Sequence, residues 1–444
     1  GRIHYPSKNQ NKISWKEADD DIKARLTEIA ASGKNIEIVT PPVISPSTKA
    51  LLKEFSDQFE NVFWTEYDPI SASAIRQAAK TTFGEAVIPQ YQFNKAKIIV
   101  GVNADFLGTW LSPVDFTEQY TSNRKVSENQ KKMSRHIQFE SLMTLTGTNA
   151  DERHPMHPSE EGKLLTSLYN EIAKQTGNQT LGSSETSLPA AKTAAELVKH
   201  KGEALLVCGS NNVSHQLIVN AINNMLDAYG KTINTKEALL THSADDSKFD
   251  ETLKRLEKGD SKAVIFHDVN PFFDYPNQNK LEKALRNADL SISHTTAKHE
   301  TSSKTEYVLP MHHPLESWGD FEPVEGKLSL AQPAIRNIYD TRQLEDNLLK
   351  WIGSGDNYHD YLKKFWQENM YSRQTEYGNF RDFWVYTLQK GTFEPGPEKK
   401  RKVSYSDKGL KASISDASNS SKQGTALVLY EKVAIGNGKH ANNP

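Results

Sequence analysis

Three short polar segments each follow directly after an apolar run, and their residue types suit the binding of an anion. They are residues 101–105 (Gly-Val-Asn-Ala-Asp), 209–212 (Gly-Ser-Asn-Asn) and 267–271 (His-Asp-Val-Asn-Pro). A glycine or asparagine at a strand end allows a tight turn, and N–H groups at the start of the next helix can then bind a phosphate. None of the three has the G-x-G-x-x-G spacing of a dinucleotide-binding turn. Ordinary strand-to-helix turns therefore stay open as the alternative.

Metal-binding and nucleophilic chemistry have weaker support in this sequence. The chain has one cysteine, Cys208, which lies in an apolar strand-like run and excludes a Cys₄ iron–sulfur cluster within these residues. His154 and His157 are three residues apart, but the prolines around them do not allow the helix that would present them together. No G-x-S-x-G turn or P-loop is present. We therefore predict no catalytic residue and no metal ligand.

Length and composition limit the class of protein. A chain of 444 residues predicts two or three domains. A charged fraction of 25% and a net charge of −2 give no bulk charge for binding nucleic acid or a membrane surface. No run of 18 apolar residues is present, so we predict no membrane-spanning segment. Both ends of the sequence look cut, so a fragment of a longer polypeptide is expected.

Strands and helices are predicted to alternate along the chain. A capping box at Ser14 and Glu17 begins a helix over residues 14–31. Apolar runs predict strands at residues 35–40, 61–65, 97–101, 204–208, 262–266 and 290–293. Helical periodicity between them predicts an α/β protein with parallel sheets.

The domain organisation follows from this alternation. We predict a discontinuous α/β domain of residues 1–150 and 305–390, with an inserted Rossmann-like α/β domain at residues 160–300. Residues 391–444 have a different composition: a polar linker with the basic run 399–402, and then one strand at residues 426–430.

The segment after residue 307 resembles a known superfamily. Residues 308–320 (Val-Leu-Pro-Met-His-His-Pro-Leu-Glu-Ser-Trp-Gly-Asp) and 326–333 (Gly-Lys-Leu-Ser-Leu-Ala-Gln-Pro) precede a predicted helix at residue 344. This order of parts resembles the molybdopterin oxidoreductase superfamily of the dimethyl sulfoxide reductase type. Residues 13–18 (Ile-Ser-Trp-Lys-Glu-Ala) are similar to the start of that superfamily's second domain. The resemblance implies that a C-terminal β-barrel begins after residue 391.

The same resemblance assigns a role to the three polar segments at residues 101–105, 209–212 and 267–271. It implies a vestigial pterin cleft at Gly101, Asn103, Gly209, Ser210, Asn212 and Asn270. In the enzymes, the corresponding cleft binds a guanine dinucleotide cofactor. The sequence departs from the superfamily pattern, because Ala104 follows Asn103 where a proline is usual. The molybdenum ligand should fall within residues 66–71, where there is no cysteine. Asp68 and Ser71 are possible ligands there, but a turn is the favoured interpretation of Asp68-Pro69.

Further segments resemble one branch of this superfamily. They are residues 104–116, 143–153, 429–433 and 436–444, and they are similar to the molybdopterin-like half of the B subunit of bacterial alternative complex III. That complex is a quinol-oxidising respiratory assembly. The resemblance implies a cofactor-free scaffold that is not itself catalytic, peripheral on the periplasmic side of the inner membrane. Its partners would be other subunits of the membrane-bound complex and a ferredoxin-like domain of the same polypeptide, which would hold the iron–sulfur clusters.

Two other functions stay open at this point. One is an active fragment of a molybdopterin-dependent oxidoreductase, which binds a bis-guanine-dinucleotide molybdenum cofactor. The other is a nucleotide-binding module built on the Rossmann-like domain. Metal and pterin analysis distinguishes the first from a scaffold, and a nucleotide-dependent rise in melting temperature would support the second.

Overall fold

The computed structural model describes residues 1–128, 130–398, 401, 403–418 and 425–436. It divides into two compact units, and each consists of two chain segments. The first unit is Gly1–Ser71 with Leu240–Glu398, and the second is Ala72–Leu239 with Lys399–Pro444. Both units contain parallel strands flanked by helices, so the predicted α/β fold class is confirmed.

The first unit is built on a seven-stranded sheet. Its strands, in spatial order, are Asn11–Lys12, Ser7–Lys8, Tyr307–Pro310, Leu290–Thr295, Ser261–His267, Asn35–Thr40 and Val62–Glu66. The last five run parallel, and Ser7–Lys8 pairs antiparallel to Tyr307–Pro310. Three further strands form antiparallel pairs: Gly319–Val324, Lys327–Ala331 and Thr392–Phe393. The helices are Trp15–Ala31, Pro46–Phe59, Asp246–Lys258, Pro271–Asp274, Gln278–Arg286, Leu344–Ile352, Tyr358–Asn369 and Phe380–Lys390, with 3₁₀ turns at Pro314–Glu316 and Tyr371–Arg373.

The second unit has a four-stranded parallel sheet. Its spatial order is Glu152–Pro155, Arg135–Glu140, Ile98–Val102 and Ala204–Cys208. Ile88–Tyr91 and Ile233–Leu239 form an antiparallel pair. The helices are Ser73–Phe83, Pro113–Ser122, Leu145–Thr148, Glu161–Thr176, Ala190–Lys199, Val213–Met225 and Leu410–Ser418, with 3₁₀ turns at Phe93–Lys95 and Pro158–Glu160.

The boundaries of the two units differ from the predicted ones. Ser261–His267 pairs with Asn35–Thr40, so the chain after residue 240 belongs to the first unit rather than to an insertion at 160–300. Ile98–Val102 pairs with Ala204–Cys208, which places residues 72–150 in the second unit. Alternation of strands and helices in the sequence predicts parallel strands, but it does not say which strands are neighbours in the sheet. Tyr307–Pro310 lies in the first sheet, but the chain has already returned to that sheet at Ser261–His267, before the predicted residue 307.

The predicted C-terminal linker contains a helix that belongs to the core of the second unit. Leu410–Ser418 buries Leu410, Ile414 and Ala417, and it packs against Glu161–Thr176 and Val213–Met225. A Cβ atom at Gly162 would overlap the backbone of Ala417, so the two helices are in very close contact.

The predicted strand at residues 426–430, the expected start of a β-barrel, is not confirmed. These residues form no strand, and Leu427 and Leu429 are 84% and 85% exposed. Lys399, Lys400 and Lys402 of the basic run lie outside the described residues, as do residues 437–444. In the part of the chain that the structure describes, no helix combines the length and apolarity needed to cross a bilayer.

A buried carboxylate holds the start of helix Pro46–Phe59 in the first unit. Ser45 caps this helix, and its Oγ donates to Oδ1 of Asp320 at 2.5 Å. Asp320 also accepts from Ser47 Oγ at 2.7 Å and from Trp366 Nε1 at 2.9 Å. These four side chains join a strand to two helices far apart in the sequence.

A second carboxylate lies at the same helix start. Thr48 Oγ1 donates to Oε1 of Glu345 at 2.6 Å. Burial raises the pKa of Glu345 to about 7, and the hydrogen bond from Thr48 opposes that rise without cancelling it. Burial also raises the pKa of Asp320. A carboxylate near a helix N-terminus is stabilised by typically ~0.3–1 kcal/mol, which is less than the cost of removing its charge from water.

We expect the change Ile414→Ala to destabilise the second unit by about 2–4 kcal/mol, because it removes a side chain that is 1% exposed and leaves a cavity against helix Glu161–Thr176. Denaturant unfolding would measure this loss. Lys411→Ala, at an exposed position of the same helix, should change the stability by less than ~0.5 kcal/mol. Equal effects of the two variants would show that the helix does not contribute to the core.

Glu345 should make stability depend on pH. Its pKa is about 7 in the folded state against an ordinary value of 4.5, so the folded chain holds a proton that the unfolded chain has lost. The stabilising contribution is therefore complete below pH 4.5 and is lost as pH rises through about 7. Glu345→Gln should remove this fall, roughly 2–3 kcal/mol, in unfolding free energies measured from pH 4 to 8. The exposed Glu368→Gln variant should keep the wild-type profile.

Candidate functional site

Five of the six predicted ligand-binding residues lie together in the second unit. They are Gly101, Asn103, Gly209, Ser210 and Asn212, at the carboxyl ends of the neighbouring strands Ile98–Val102 and Ala204–Cys208. The sixth, Asn270, lies in the first unit, after Ser261–His267. Adjacent parallel strands bring their carboxyl ends to one edge of a sheet, which is where ligands bind in open α/β proteins.

Asn103 is fully engaged with its own chain. Its backbone has a φ of 47°, a left-handed conformation that asparagine tolerates better than most residues. The side-chain Nδ2 donates to Oε2 of Glu161 at 2.6 Å, and Oδ1 accepts from the backbone N–H of Ser141 at 2.9 Å. Both atoms of the amide thus have partners, and neither is directed at open space.

Glu161 is the charged centre of this edge. It is the first residue of helix Glu161–Thr176, and its Oε1 lies 2.9 Å from Nδ1 of His215 and 3.6 Å from the Sγ of Cys208. Burial acts to raise the pKa of Glu161, but hydrogen bonds from His215, Asn103 and Ser210 outweigh it and hold the pKa below its usual range. Glu161 is therefore a buried carboxylate that stays ionised at neutral pH.

The remaining predicted residues have structural partners. A Cβ atom at Gly101 would overlap the side chain of Gln138, and one at Gly209 would overlap the backbone oxygen of Asn103. Ser210 Oγ lies 2.9 Å from Nδ1 of His215. Asn212 caps helix Val213–Met225, where its Oδ1 accepts from Ser214 N at 2.8 Å. The glycines allow close packing of the chain against itself, so they do not form an open cradle.

Two more carboxylates occupy the same edge, and sequence reasoning did not identify them as site residues. Asp105 accepts from the backbone N–H of Thr146 at 3.0 Å and from its Oγ1 at 2.7 Å. Glu140, 1% exposed, accepts from Thr144 Oγ1 at 2.6 Å and from Arg153 Nε at 2.5 Å. Asp105 falls within a predicted segment, but Glu140 ends a strand and carries no sequence signal.

Asn270 clamps a loop of the first unit. Its Oδ1 accepts from the backbone N–H of Thr301 at 3.0 Å and from Thr301 Oγ1 at 2.9 Å, and its Nδ2 donates to Glu300 at 2.7 Å. Both polar atoms of the Asn270 side chain therefore have partners within the chain, as expected for a strand-to-helix turn. The structure gives this residue no open position for a ligand.

Two histidines form a fixed pair at the strand ends of the first unit. His294 Nε2 lies 3.1 Å from the carbonyl oxygen of Arg342, so it must carry a proton. The Nδ1 of neutral His294 then accepts from Nδ1 of His267 at 2.9 Å. Burial lowers the pKa of His267 to about 4 and that of His294 well below its ordinary value. The pair is therefore neutral at physiological pH, and its Nδ1 atoms are bonded to each other.

The donor set does not fit the molybdenum cofactor that the resemblance implies. Within the described ranges, no group of three or more His, Cys, Asp or Glu side chains is placed to hold a metal ion. Burial raises the pKa of Cys208 well above its ordinary value, so the thiolate form needed for ligation is disfavoured. Asp68 Oδ1 accepts from Ile70 N at 3.0 Å, which confirms the predicted turn.

The anionic part of such a cofactor fits no better. A dinucleotide pyrophosphate needs N–H donors at the strand ends. Here Asp105 and Glu140 accept from the backbone N–H groups of Thr146 and Thr144, and Glu161 accepts from the side chains of Asn103 and His215. A phosphate ~4 Å from one of these carboxylates would be repelled by about 4 kcal/mol at an effective dielectric constant near 20. That exceeds the ~0.3–1 kcal/mol that a helix N-terminus offers an anion.

Comparison with known proteins identifies a family for this chain and solved structures with a similar fold. The sequence profile of the molybdopterin oxidoreductase family matches residues 2–345. No curated protein sequence matches the chain. Among solved structures, acetylene hydratase from Pelobacter acetylenicus is similar at 14% identity with a TM-score of 0.62, over 89% of this chain and 67% of that chain. A chain of the formyltransferase/hydrolase complex from Methylorubrum extorquens, in complex with methylofuran, is similar at 11% identity with a TM-score of 0.48, over 81% of this chain and 99% of that one.

The family match and the fold agree with each other. The matched residues 2–345 are more than half of the chain and include both parallel sheets. At 14% identity, the likeness to acetylene hydratase shows a common fold and no more. The chain belongs to the molybdopterin oxidoreductase family.

Proposed function

We propose that this chain is a cofactor-free member of the molybdopterin oxidoreductase family that serves as a scaffold in a quinol-oxidising respiratory complex of the alternative complex III type. The observation that carries the proposal is that carboxylates of the chain itself accept hydrogen bonds from the donors at the strand ends. In the second unit, Asp105, Glu140 and Glu161 hold the strand-end donors. In the first unit, Asp320 and Glu345 lie at the start of helix Pro46–Phe59.

This arrangement stabilises the protein without any ligand. A buried carboxylate is costly unless several donors surround it, and here each has two or more hydrogen-bonding groups or a basic partner nearby. A cofactor phosphate could enter only if these carboxylates left their donors. The cleft of this protein therefore works as part of the framework.

The proposed role also needs a surface for other subunits. The segments that resemble alternative complex III, residues 104–116 and 143–153, are tied together by the bonds from Thr146 to Asp105. They expose large apolar side chains: Val114 at 86%, Met143 at 72% and Leu145 at 50%. Large apolar side chains with this much exposure are found at protein–protein contacts. We infer that this surface, the 104–116/143–153 surface, contacts another subunit.

The remaining parts of the proposal come from the resemblance. The partners would be other subunits of a membrane-bound complex and a ferredoxin-like domain of the same polypeptide, with the iron–sulfur clusters in that domain. The complex would lie on the periplasmic side of the bacterial inner membrane. In such an assembly this domain would be a structural scaffold, and electron transfer would take place in other domains and subunits.

Protein purified from a host that makes molybdopterin should contain neither molybdenum nor pterin. Elemental analysis for molybdenum and tungsten, together with pterin fluorescence after oxidation, measures both. The control is an active molybdenum enzyme purified from the same cells, which should be loaded. One molybdenum atom per chain would contradict the proposal and would favour an active oxidoreductase.

Substitution of the cleft asparagines should leave electron transfer by the assembled complex nearly unchanged. Asn212→Ala should cost about 1 kcal/mol of stability because a helix cap is lost, and Asn270→Ala about 1–3 kcal/mol because three hydrogen bonds are lost. Asn103→Ala should cost about 1–3 kcal/mol, because it also leaves Glu161 with one donor fewer. Quinol oxidation and melting temperature would be measured on the same preparations.

The control for these asparagine substitutions is a substitution on the 104–116/143–153 surface, where a change should affect assembly. Met143→Lys should lower the fraction of complex that assembles and leave the melting temperature of the isolated chain unchanged, because Met143 is 72% exposed. If an asparagine variant assembles and melts normally but loses electron transfer, the scaffold proposal is wrong.

A further inference from the structure

Helix Leu344–Ile352 of the first unit carries three buried polar atoms that have no hydrogen-bond partner among the described residues. They are Nδ2 and Oδ1 of Asn347 and Nε1 of Trp351. Asn347 is fully buried, and Trp351 is 1% exposed. Folded proteins rarely leave buried donors and acceptors unpaired, because each such group has given up its hydrogen bonds to solvent. Three of them on one helix indicate a bound molecule that supplies the partners.

The two side chains lie on the same face of this helix. Asn347 and Trp351 are four residues apart in the sequence, so they are neighbours on successive turns. A long side chain in a helix leans toward the helix N-terminus, which brings the indole of Trp351 over the turn that carries Asn347. The two side chains form no direct hydrogen bond with each other. One small molecule between them can therefore reach all three polar atoms.

The surroundings of the two residues are apolar. The other buried residues of this helix are Leu344, Leu348 and Leu349, and all three belong to the main hydrophobic core of the first unit. The helix packs against the two helices Trp15–Ala31 and Pro46–Phe59. A molecule held beside Asn347 and Trp351 is therefore enclosed, and it takes its hydrogen bonds from these two side chains.

The donors and the acceptor of the site determine the chemistry of that molecule. The amide Nδ2 of Asn347 and the indole Nε1 of Trp351 can only donate, whereas Oδ1 of Asn347 can only accept. A metal cation cannot bind the two N–H donors. A water molecule matches the whole set, because its oxygen accepts from both N–H groups and one of its hydrogens reaches Oδ1. Buried water molecules typically make about three hydrogen bonds, which is the number that this site offers.

We propose that Asn347 and Trp351 bind one ordered water molecule inside the hydrophobic core of the first unit. The water accepts hydrogen bonds from Nδ2 of Asn347 and Nε1 of Trp351, and it donates one to Oδ1 of Asn347. It links the two side chains across one helical turn and satisfies both polar groups within the apolar core. This site is separate from the strand-end carboxylates on which the scaffold role rests.

A small anion is the competing occupant, and the site suits it less well. An anion would accept from the two N–H groups but would leave Oδ1 of Asn347 without a donor. An unpaired charge is also costly to bury among apolar side chains. The carboxylate of Asp346, the preceding residue, adds repulsion, since it accepts only from the backbone N–H of Tyr358 at 2.9 Å. A neutral molecule avoids all three penalties.

The test combines a high-resolution crystal structure of the full chain with nuclear magnetic resonance on protein that carries isotope-labelled tryptophan. The crystal structure should show a water oxygen about 2.7–3.2 Å from Nε1 of Trp351 and from both polar atoms of Asn347. In a rotating-frame Overhauser spectrum, the indole N–H proton of Trp351, assigned with Trp351→Phe, should give a dipolar cross-peak to water. The indole of Trp15, which donates to the carbonyl oxygen of Asp340 at 3.1 Å, should give none.

A volume-matched substitution removes most of the site. Asn347→Leu keeps the size of the side chain and deletes two of the three hydrogen-bonding atoms. It should lower the intensity of the Trp351 cross-peak at least about tenfold, because one remaining hydrogen bond holds the water more weakly. The same substitution at an exposed position of another helix, Asn369→Leu, should leave the cross-peak unchanged.

Each result decides the proposal. A direct hydrogen bond from Nε1 of Trp351 to Oδ1 of Asn347, with no water between them, would overturn it. An anomalous scattering peak at the site in crystals grown with bromide would also overturn it, in favour of an anion. A cross-peak of wild-type intensity in Asn347→Leu would show that Asn347 does not hold the water. The two wild-type measurements are decisive by themselves if Asn347→Leu does not fold.

Discussion

Buried carboxylates must be surrounded by donors, and this requirement organises both units of the protein. Glu161 stays ionised at 7% exposure because His215, Asn103 and Ser210 supply hydrogen bonds that outweigh its burial. Asp320 is fully buried and joins Ser45, Ser47 and Trp366. Breaking such a buried pair typically costs about 3–5 kcal/mol, a large part of the stability of a domain. Hydrogen bonds to buried carboxylates therefore hold the loops at the strand ends in place.

The same constraint applies to the hydrogen-bond donors at the carboxyl edge of the parallel sheet in the second unit. Open parallel sheets present N–H donors at their carboxyl edges, and these donors need an acceptor whether or not a ligand is present. In this chain the side chains of Asp105 and Glu140 accept from the backbone N–H groups of Thr146 and Thr144. With these carboxylates in place, the donors at this edge of the sheet have acceptors within the chain itself.

Sequence reasoning succeeded where the signal is local. The capping box of Ser14 and Glu17 is present, and helix Trp15–Ala31 begins there as predicted. The six strands predicted from apolar runs fall within one or two residues of their predicted positions, but the parallel strands Arg135–Glu140 and Glu152–Pro155 were not predicted. Helix Leu410–Ser418 was not predicted, because its serines and charges resemble a linker and only every third or fourth position is buried. The predicted strand at residues 426–430 is not formed, since an apolar run makes a strand only beside a partner.

The sequence by itself determined the α/β class, the positions of most elements and the polar turns at the strand ends, because each depends on periodicity and capping within a few residues. Only the tertiary structure decided which strands pair and what the polar turns do. Ser47 and Asp320 are 273 residues apart, and Asn103 and Glu161 are 58 apart. No local pattern encodes such contacts. Whether an asparagine at a strand end holds a ligand or its own chain depends on which distant carboxylate folding brings beside it.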